Sequence, residues 1–263
     1  MYRKYFSIAY IRLIETFQYR AEMLIWQLIE SIPAITFTII ILQMPDNQIG
    51  GLDKSHLVMY YLLTIIVSRF IGYYFTDHQA KLIRTGEFSK FLLIPVQYHL
   101  GLLASSLIKY AYQFLFIILP LYVTLVSFYS GSIVWPKFQN FLIFLLFILV
   151  GNIINFILQT IIVSLAFFFK TVEGLKHALW VCNAVFGGAM LPIYFLPSWL
   201  QNFSNLLPFK FFYHIPISFY LGLLEFDQIG LYLFQAFCWL GLLILISTTI
   251  WKYGLRKYSA VGG

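Results

Sequence analysis

Long runs of apolar residues constrain this chain more than any other feature of its sequence. A helix needs about 20 consecutive apolar residues to cross the roughly 30 Å hydrocarbon core of a bilayer, and several runs reach that length. Only 10% of the residues are charged, whereas soluble domains carry about 25%. Strict polar–apolar alternation is missing, which argues against a membrane β-barrel. The sequence therefore predicts an all-α, polytopic membrane protein whose helices satisfy their own backbone hydrogen bonds.

Windows of about 20 residues divide the chain into six predicted transmembrane helices within a single transmembrane domain, residues 1–263. The predicted spans are Met23 to Leu42, His56 to Phe75, Leu102 to Phe128, Phe141 to Phe169, Ala178 to Leu196 and Leu231 to Tyr253. The N-terminal segment does not resemble a cleaved signal peptide. It is predicted to form an interfacial helix, because Phe6, Tyr10, Leu13 and Phe17 recur at helical spacing.

The distribution of Lys and Arg predicts the orientation in the membrane. Most of them fall on the side that holds both termini, and the positive-inside rule places that side in the cytoplasm. The opposite side has only Lys54, Lys137 and Lys210. Topology and anionic lipid thus explain the formal net charge of +7, and no nucleic-acid partner is expected. Arg69 and Lys109 lie inside spans, where snorkelling toward the cytoplasmic interface is expected.

The chain carries no sequence motif for catalysis, for metal binding or for ATP binding. Its five histidines are scattered without an HExxH pair, and no nucleophile motif or phosphate-binding G-x-x-x-x-G-K-[ST] loop is present. The chain is therefore not expected to be an enzyme or to hold a cofactor or metal itself. Glu30 is the one acid well inside a span, which leaves a stand-alone ion-coupled transporter as an alternative function. A membrane assembly or scaffold protein is the other alternative.

A short charged segment, KLIRTGEFSKFLLIP (residues 81–95), separates the second and third predicted spans. Thr85 is predicted to cap a short helix there and Pro95 to end it. Its predicted apolar face consists of Phe88, Phe91 and Leu92, with Glu87 and Lys90 directed away. Such a helix suits either the groove of a partner protein or the lipid interface, and the residues alone favour neither.

The order of these elements resembles the membrane subunits of type-two ATP-binding-cassette exporters, in particular the branch encoded as paired permeases beside one ATPase. Two stretches carry most of the resemblance, RTGEFSKFLLIPVQYHLG after the second span and GGAMLPIYFLPSWLQNFSNLLPFKFFYHIP after the fifth. The most specific pattern is G-E-[LF]-S-x-x-L-[LI]-x-P. With one position of slack it is matched by Gly86, Glu87, Phe88, Ser89, Leu92, Leu93 and Pro95.

This resemblance implies partners and a coupling role for the segment after the second span. A separate ATPase subunit would hold ATP and Mg, and a second permease, identical or homologous, would complete the pathway in a bacterial-type plasma membrane. Gly86 to Leu93 would form the coupling helix that docks on the ATPase. The implied contacts are Gly86, Glu87, Phe88, Lys90, Phe91 and Leu92, with Glu173 in the second cytoplasmic loop, KTVEGLKH. That loop is equally typical of any tight helical hairpin in a membrane.

Two further sets of residues are predicted to serve the translocation pathway. In the resembling exporters the segment after the fifth span is a re-entrant hairpin at the outer gate, which here would contain Pro192, Pro197, Trp199 and Pro208. The alternative is an extracellular loop whose aromatic residues, among them Phe211, Phe212 and Tyr213, form an interfacial belt. Candidate pathway residues are the polar groups inside spans, Glu30, Asn152, Asn155, Gln159 and Asn183. Their alternative role is hydrogen bonding between packed helices.

Overall fold

The computed structural model describes residues 14, 18, 20–44, 52–72, 75–93, 97–120 and 134–258. Within these ranges the regular structure is helical, with no β-strand. Three sequence predictions lie outside the described residues. They concern the N-terminal interfacial helix with Phe6, Tyr10, Leu13 and Phe17, the helix-ending Pro95, and the end of the third span toward Phe128.

The helices follow the predicted spans in order. In the first half they are α1 (Arg20–Gln43), α2 (Lys54–Ser68), α3 (Thr76–Arg84), α4 (Ser89–Leu92) and α5 (Tyr98–Gln113), which continues as a π-helical turn, Phe114–Ile118. In the second half they are α6 (Phe138–Leu165), α7 (Glu173–Phe186), α8 (Ser198–Leu206), α9 (His214–Tyr220) and α10 (Ile229–Lys257). Short 3₁₀ turns lie at Ile193–Phe195, Pro208–Phe211 and Phe226–Gln228.

Two of the described helices are long and apolar enough to cross a membrane. They occupy Phe138–Leu165 and Phe226–Lys257, at the positions of the predicted fourth and sixth spans. Shorter apolar helices occupy Ser31–Gln43 and Lys54–Ser68. Helices α2 and α7 are shorter than the predicted second and fifth spans, since α2 ends at Ser68 and α7 ends at Phe186.

Helix α6 lies at the centre of the bundle and packs against α3, α7, α9 and α10. Phe147 of α6 is fully buried and stacks on Phe219, with ring centroids 5.2 Å apart. Four residues further, the missing side chain of Gly151 lets the Phe211 carbonyl approach the helix, because a Cβ at this position would collide with that oxygen. The main core therefore lies around α6, between α2 and α9.

A second, smaller core lies at the opposite end of α6. Its buried residues are Ala80, Ile83, Phe88, Ile162, Val163, Ala166 and Val172. They come from α3, from the turn that follows it, and from the C-terminal part of α6 and its connection to α7. This core fixes the short charged segment against the helical bundle.

Candidate functional site

The turn after α3 differs from the helix that the sequence predicted. Thr85 does not cap the following helix, because it ends the preceding one: its hydroxyl donates to the Lys81 carbonyl at 3.1 Å. Gly86 then adopts a φ of 76°, a left-handed conformation that glycine accommodates without steric cost. Helix α4 is one turn of four residues with no side-chain cap. The segment is therefore a tight turn followed by a single helical turn.

Phe88 anchors this turn inside the protein. Its side chain is 0% exposed, and the rings of Tyr98, Trp251 and Tyr258 meet it edge-on with centroids at 5.0, 5.6 and 5.8 Å. The prediction that Phe88 shares an exposed face with Phe91 and Leu92 was therefore wrong. The pattern of polar and apolar residues around Phe88 could not show that α5 and α10 would enclose this ring.

The Tyr258 hydroxyl fastens the same turn by hydrogen bonds. It donates to the Gly86 carbonyl at 2.7 Å and accepts from the Ser89 N–H at 3.1 Å. Tyr258 directly follows α10. Ring packing and hydrogen bonding together thus connect the turn to the end of the last helix.

The opposite side of the segment is exposed on the surface of the chain. Leu92 is 53% and Leu93 84% exposed, while Phe91 is half-buried. Beside them Lys90 Nζ donates to Glu87 Oε2 at 3.1 Å. This hydrogen bond and the lysine's charge lower the pKa of Glu87, so that its carboxylate is ionised at neutral pH. We call Glu87, Lys90, Leu92 and Leu93 the tip.

The two predicted cytoplasmic contact segments lie side by side. Arg84 donates to the Lys170 carbonyl at 2.8 Å, and Lys176 Nζ lies 2.6 Å from Asp77 Oδ2. Glu173, the exposed first residue of α7, is in the same connection. The structure thus brings Glu173 and the tip to one end of the bundle.

Three amide side chains of α6 stabilise an unwound stretch between α2 and α3. Asn152 donates to the Phe70 carbonyl, Asn155 to Ile71 at 3.0 Å and Gln159 to Gly72 at 3.0 Å. Their spacings of three and four residues place all three on one face of α6. Carbonyls at the end of a helix have no intrahelical partner, and these amides supply one. Their observed contacts are therefore helix-packing hydrogen bonds, the alternative that the sequence left open.

The remaining polar residues inside the predicted spans have different surroundings. Asn183 is buried, and its Oδ1 has no hydrogen-bond partner within the described ranges. Glu30 belongs to α1, but its side chain lies outside the described residues. Arg69 is buried and donates to Ser31 of α1. Snorkelling of Arg69 was therefore a wrong prediction, because the guanidinium points between two helices.

Side chains of α2 hold the irregular segment that follows α7. Tyr60 donates to the Gly188 carbonyl at 2.8 Å, and Tyr61 donates to that of Met190 at 3.2 Å. Gly188 has a φ of 86°, and a Cβ there would meet the Tyr60 hydroxyl oxygen at 2.6 Å. Irregular backbone inside a membrane protein needs such partners. Neither tyrosine was singled out by its sequence context, which is uniformly apolar.

The predicted outer-gate residues separate into two environments. Pro192 and Pro208 are buried, whereas Pro197 and Trp199 are exposed, the latter by 70%. Pro197 immediately precedes α8 and Pro208 opens a 3₁₀ turn, positions at which a missing N–H costs little. The interfacial-belt alternative does not hold for three of its aromatic residues, because Phe211, Phe212 and Tyr213 are buried.

Lys210 is a buried cation in the same segment. It is 2% exposed and donates to the Asn205 carbonyl and to Gln235 Oε1, both at 2.6 Å. Its ammonium also lies 5.3 Å from the centre of the Tyr232 ring. The sequence had counted Lys210 among the cations of the outer aqueous side. It instead links the 3₁₀ turn to α10.

A search of protein-family models matches residues 28–262 to a model described as ABC-2 family transporter protein. No curated protein and no solved structure matches the chain.

Proposed function

The chain belongs to the ABC-2 family of transporter proteins and is a permease subunit, and from this premise we propose that it forms half of an ATP-driven export pathway. In this proposal six spans cross the plasma membrane with both termini in the cytoplasm. A second permease, identical or homologous, completes the pathway. A separate ATPase subunit binds ATP and Mg and supplies the work.

The construction of the tip is the observation that carries this proposal. Leu92 and Leu93 expose apolar side chains to solvent beside the Glu87–Lys90 ion pair. A small apolar projection with charges at its rim is suited to a groove on a partner protein. Glu173 at the same end of the bundle provides a second charged contact. We infer that this end docks on the ATPase.

The contacts of Phe88 and Tyr258 support a mechanical role for the docked tip. A free loop would absorb a displacement by bending, whereas this turn is packed through one buried ring against α5, α10 and Phe167, which lies just after the end of α6. Movement of the ATPase subunits upon nucleotide binding would therefore displace the ends of α6 and α10 together with the tip. These are the two long apolar helices of the described chain.

Export requires that the two states of the pathway differ in affinity for substrate. A ligand shifts a conformational equilibrium only through such a difference. In this proposal substrate binds more tightly to the inward-facing state, and closure of the ATPase subunits favours the outward-facing state. Substrate release on the outer side follows, past the segment held by Tyr60, Tyr61 and Lys210.

A pull-down from membranes tests the proposal. The native chain is compared with a variant that carries Glu87→Lys and Leu92→Asp at the tip. The matched control makes the same two kinds of change at exposed residues of the opposite end, Asp227→Lys and Phe226→Asp. We expect the native and control proteins to retain an ATPase and a second permease, and the tip variant to lose only the ATPase.

Two results would contradict the proposal. Absence of any ATPase from the native sample would remove the exporter interpretation, and Glu30 would then be tested for ion coupling by neutralisation. Equal retention of the ATPase by the tip variant and the control would place the docking surface elsewhere. Insertion of every variant is verified by its presence in washed membranes.

A further inference from the structure

A groove lies between the end of α6 and the last turns of α10. It has a volume of about 550 Å³. Its walls come from Leu165, Phe168, Ile250 and Tyr253, with Thr249 beside them, and Arg256 and Lys257 complete its lining. It contains no acidic residue. The groove is therefore apolar along its length and cationic at one end.

Both cations contact aromatic rings and have no carboxylate partner among the described residues. The Arg256 guanidinium lies 5.9 Å from the centre of the Tyr253 ring, and Lys257 Nζ lies 5.6 Å from that of Phe168. Across the described chain neither of them forms an ion pair with a carboxylate. The two side chains are exposed, and each aromatic ring supports a cation at the mouth of the groove.

The position of the groove along the helices matches the structure of a lipid leaflet. Ile250 belongs to the apolar stretch of α10, whereas Arg256 and Lys257 lie in its last turn. At 1.5 Å per residue, six residues separate Ile250 from Arg256 by about 9 Å along the axis. In a phospholipid the acyl chain and the phosphate are likewise separated along the membrane normal. Basic pockets between membrane helices are a known setting for anionic headgroups.

We propose that this groove binds one anionic phospholipid, with its phosphate between Arg256 and Lys257 and an acyl chain along Leu165 and Ile250. Two cations that have no carboxylate partner within the described ranges favour a headgroup of net negative charge over a zwitterionic one. The assignment to the cytoplasmic leaflet rests on the proposed topology. The chemistry of the groove requires only that the chain is embedded in a membrane.

Native mass spectrometry of the purified permease tests this site. Phosphatidylglycerol and phosphatidylcholine with identical acyl chains are titrated separately onto delipidated protein. We expect the native chain to prefer phosphatidylglycerol by up to roughly 30-fold, as two basic side chains at a membrane surface provide. The Arg256→Gln, Lys257→Gln double variant should lose this preference. Ile250→Trp, which fills the apolar wall, should weaken binding of both lipids.

The matched control removes two lysines from the opposite end of the helices, as Lys54→Gln with Lys137→Gln. It should retain the full preference for phosphatidylglycerol. If the control loses as much of the preference for phosphatidylglycerol as the double variant does, the lipid responds only to total charge and the proposal is overturned. An unchanged preference in the double variant would also overturn it. Displacement of the lipid by an equal concentration of glycerol phosphate would also overturn it, because the acyl chain would then contribute nothing.

A photoactivatable phosphatidylglycerol provides a second measurement on the native chain, independent of whether any variant folds. Its cross-links should map to residues 165–168 and 249–257, and cross-links confined to other helices would refute the site. These experiments use the permease alone, without an ATPase. Failure of the lipid site therefore leaves the coupling proposal intact, and failure of the pull-down leaves the lipid site intact.

Discussion

Substitution of Phe88 by Ala separates the anchoring side of the charged segment from its exposed side. The ring is fully buried, and five aromatic rings surround it with centroids between 5.0 and 6.1 Å. Truncation of a buried Phe to Ala costs about 3–5 kcal/mol. Loss of several aromatic pairs, each contributing about 0.5–1.5 kcal/mol, places the expected cost in the upper part of that range.

Leu93→Ala is the matched change on the exposed side. Because Leu93 is 84% exposed, its truncation removes little buried area, and the free energy of unfolding should change by less than about 0.5 kcal/mol. Retention of the ATPase in the pull-down should nevertheless fall. Phe88→Leu keeps most of the buried volume and should lie between the native chain and Phe88→Ala in stability.

Denaturant unfolding of the detergent-solubilised permease, followed by tryptophan fluorescence, measures these differences. Trp251 contacts Phe88 directly, so the signal reports on this core. The reasoning is refuted if Phe88→Ala leaves the unfolding free energy unchanged. It is also refuted if Leu93→Ala destabilises the permease as strongly as Phe88→Ala does.

Three further predictions use the same unfolding assay. Tyr258→Phe keeps the ring but removes both hydrogen bonds of the hydroxyl, and should cost about 1–3 kcal/mol; an unchanged stability would show that these bonds are exchanged for water without loss. Gly151→Ala should destabilise the chain by about 1–3 kcal/mol of overpacking, although Ala is the better helix former. Gly241→Ala, with open space around its Cβ, should instead gain up to about 1 kcal/mol, and equal effects at the two glycines would contradict the close approach of Phe211. Asn155→Leu leaves the Ile71 carbonyl without its donor and should cost about 1–3 kcal/mol; a neutral result would mean that the carbonyl finds another partner.

The sequence predicted the helical class and the long fourth and sixth spans, because these depend on composition over windows of 20 residues. It also singled out two charged segments, after the predicted second and fourth spans, and the structure places them side by side. Their charges and flanking glycines stand out against an apolar chain. These features are local, and a single sequence contains the information needed to recognise them.

The errors concern contacts between residues far apart in the chain. Phe88 was predicted to lie on the apolar face offered to a partner or to lipid, since nothing near it in sequence shows that Tyr258 and Trp251 cover it. Lys210 was placed in water for the same reason, although Gln235 binds it. Asn155 has a partner 84 positions away, and periodicity cannot reveal such a pairing.

The unwound stretch between α2 and α3 has a consequence for biogenesis. At 1.5 Å per residue, the 15 residues of α2 extend about 22 Å, less than the roughly 30 Å hydrocarbon thickness. Beyond Ser68 the backbone is unwound, and the carbonyls of Ile71 and Gly72 accept hydrogen bonds from amide side chains of α6. The ribosome synthesises α6 about 80 residues later than these carbonyls. When α2 first leaves the ribosome, those donors do not yet exist. These hydrogen bonds therefore form only after α6 has been synthesised and has packed against the end of α2.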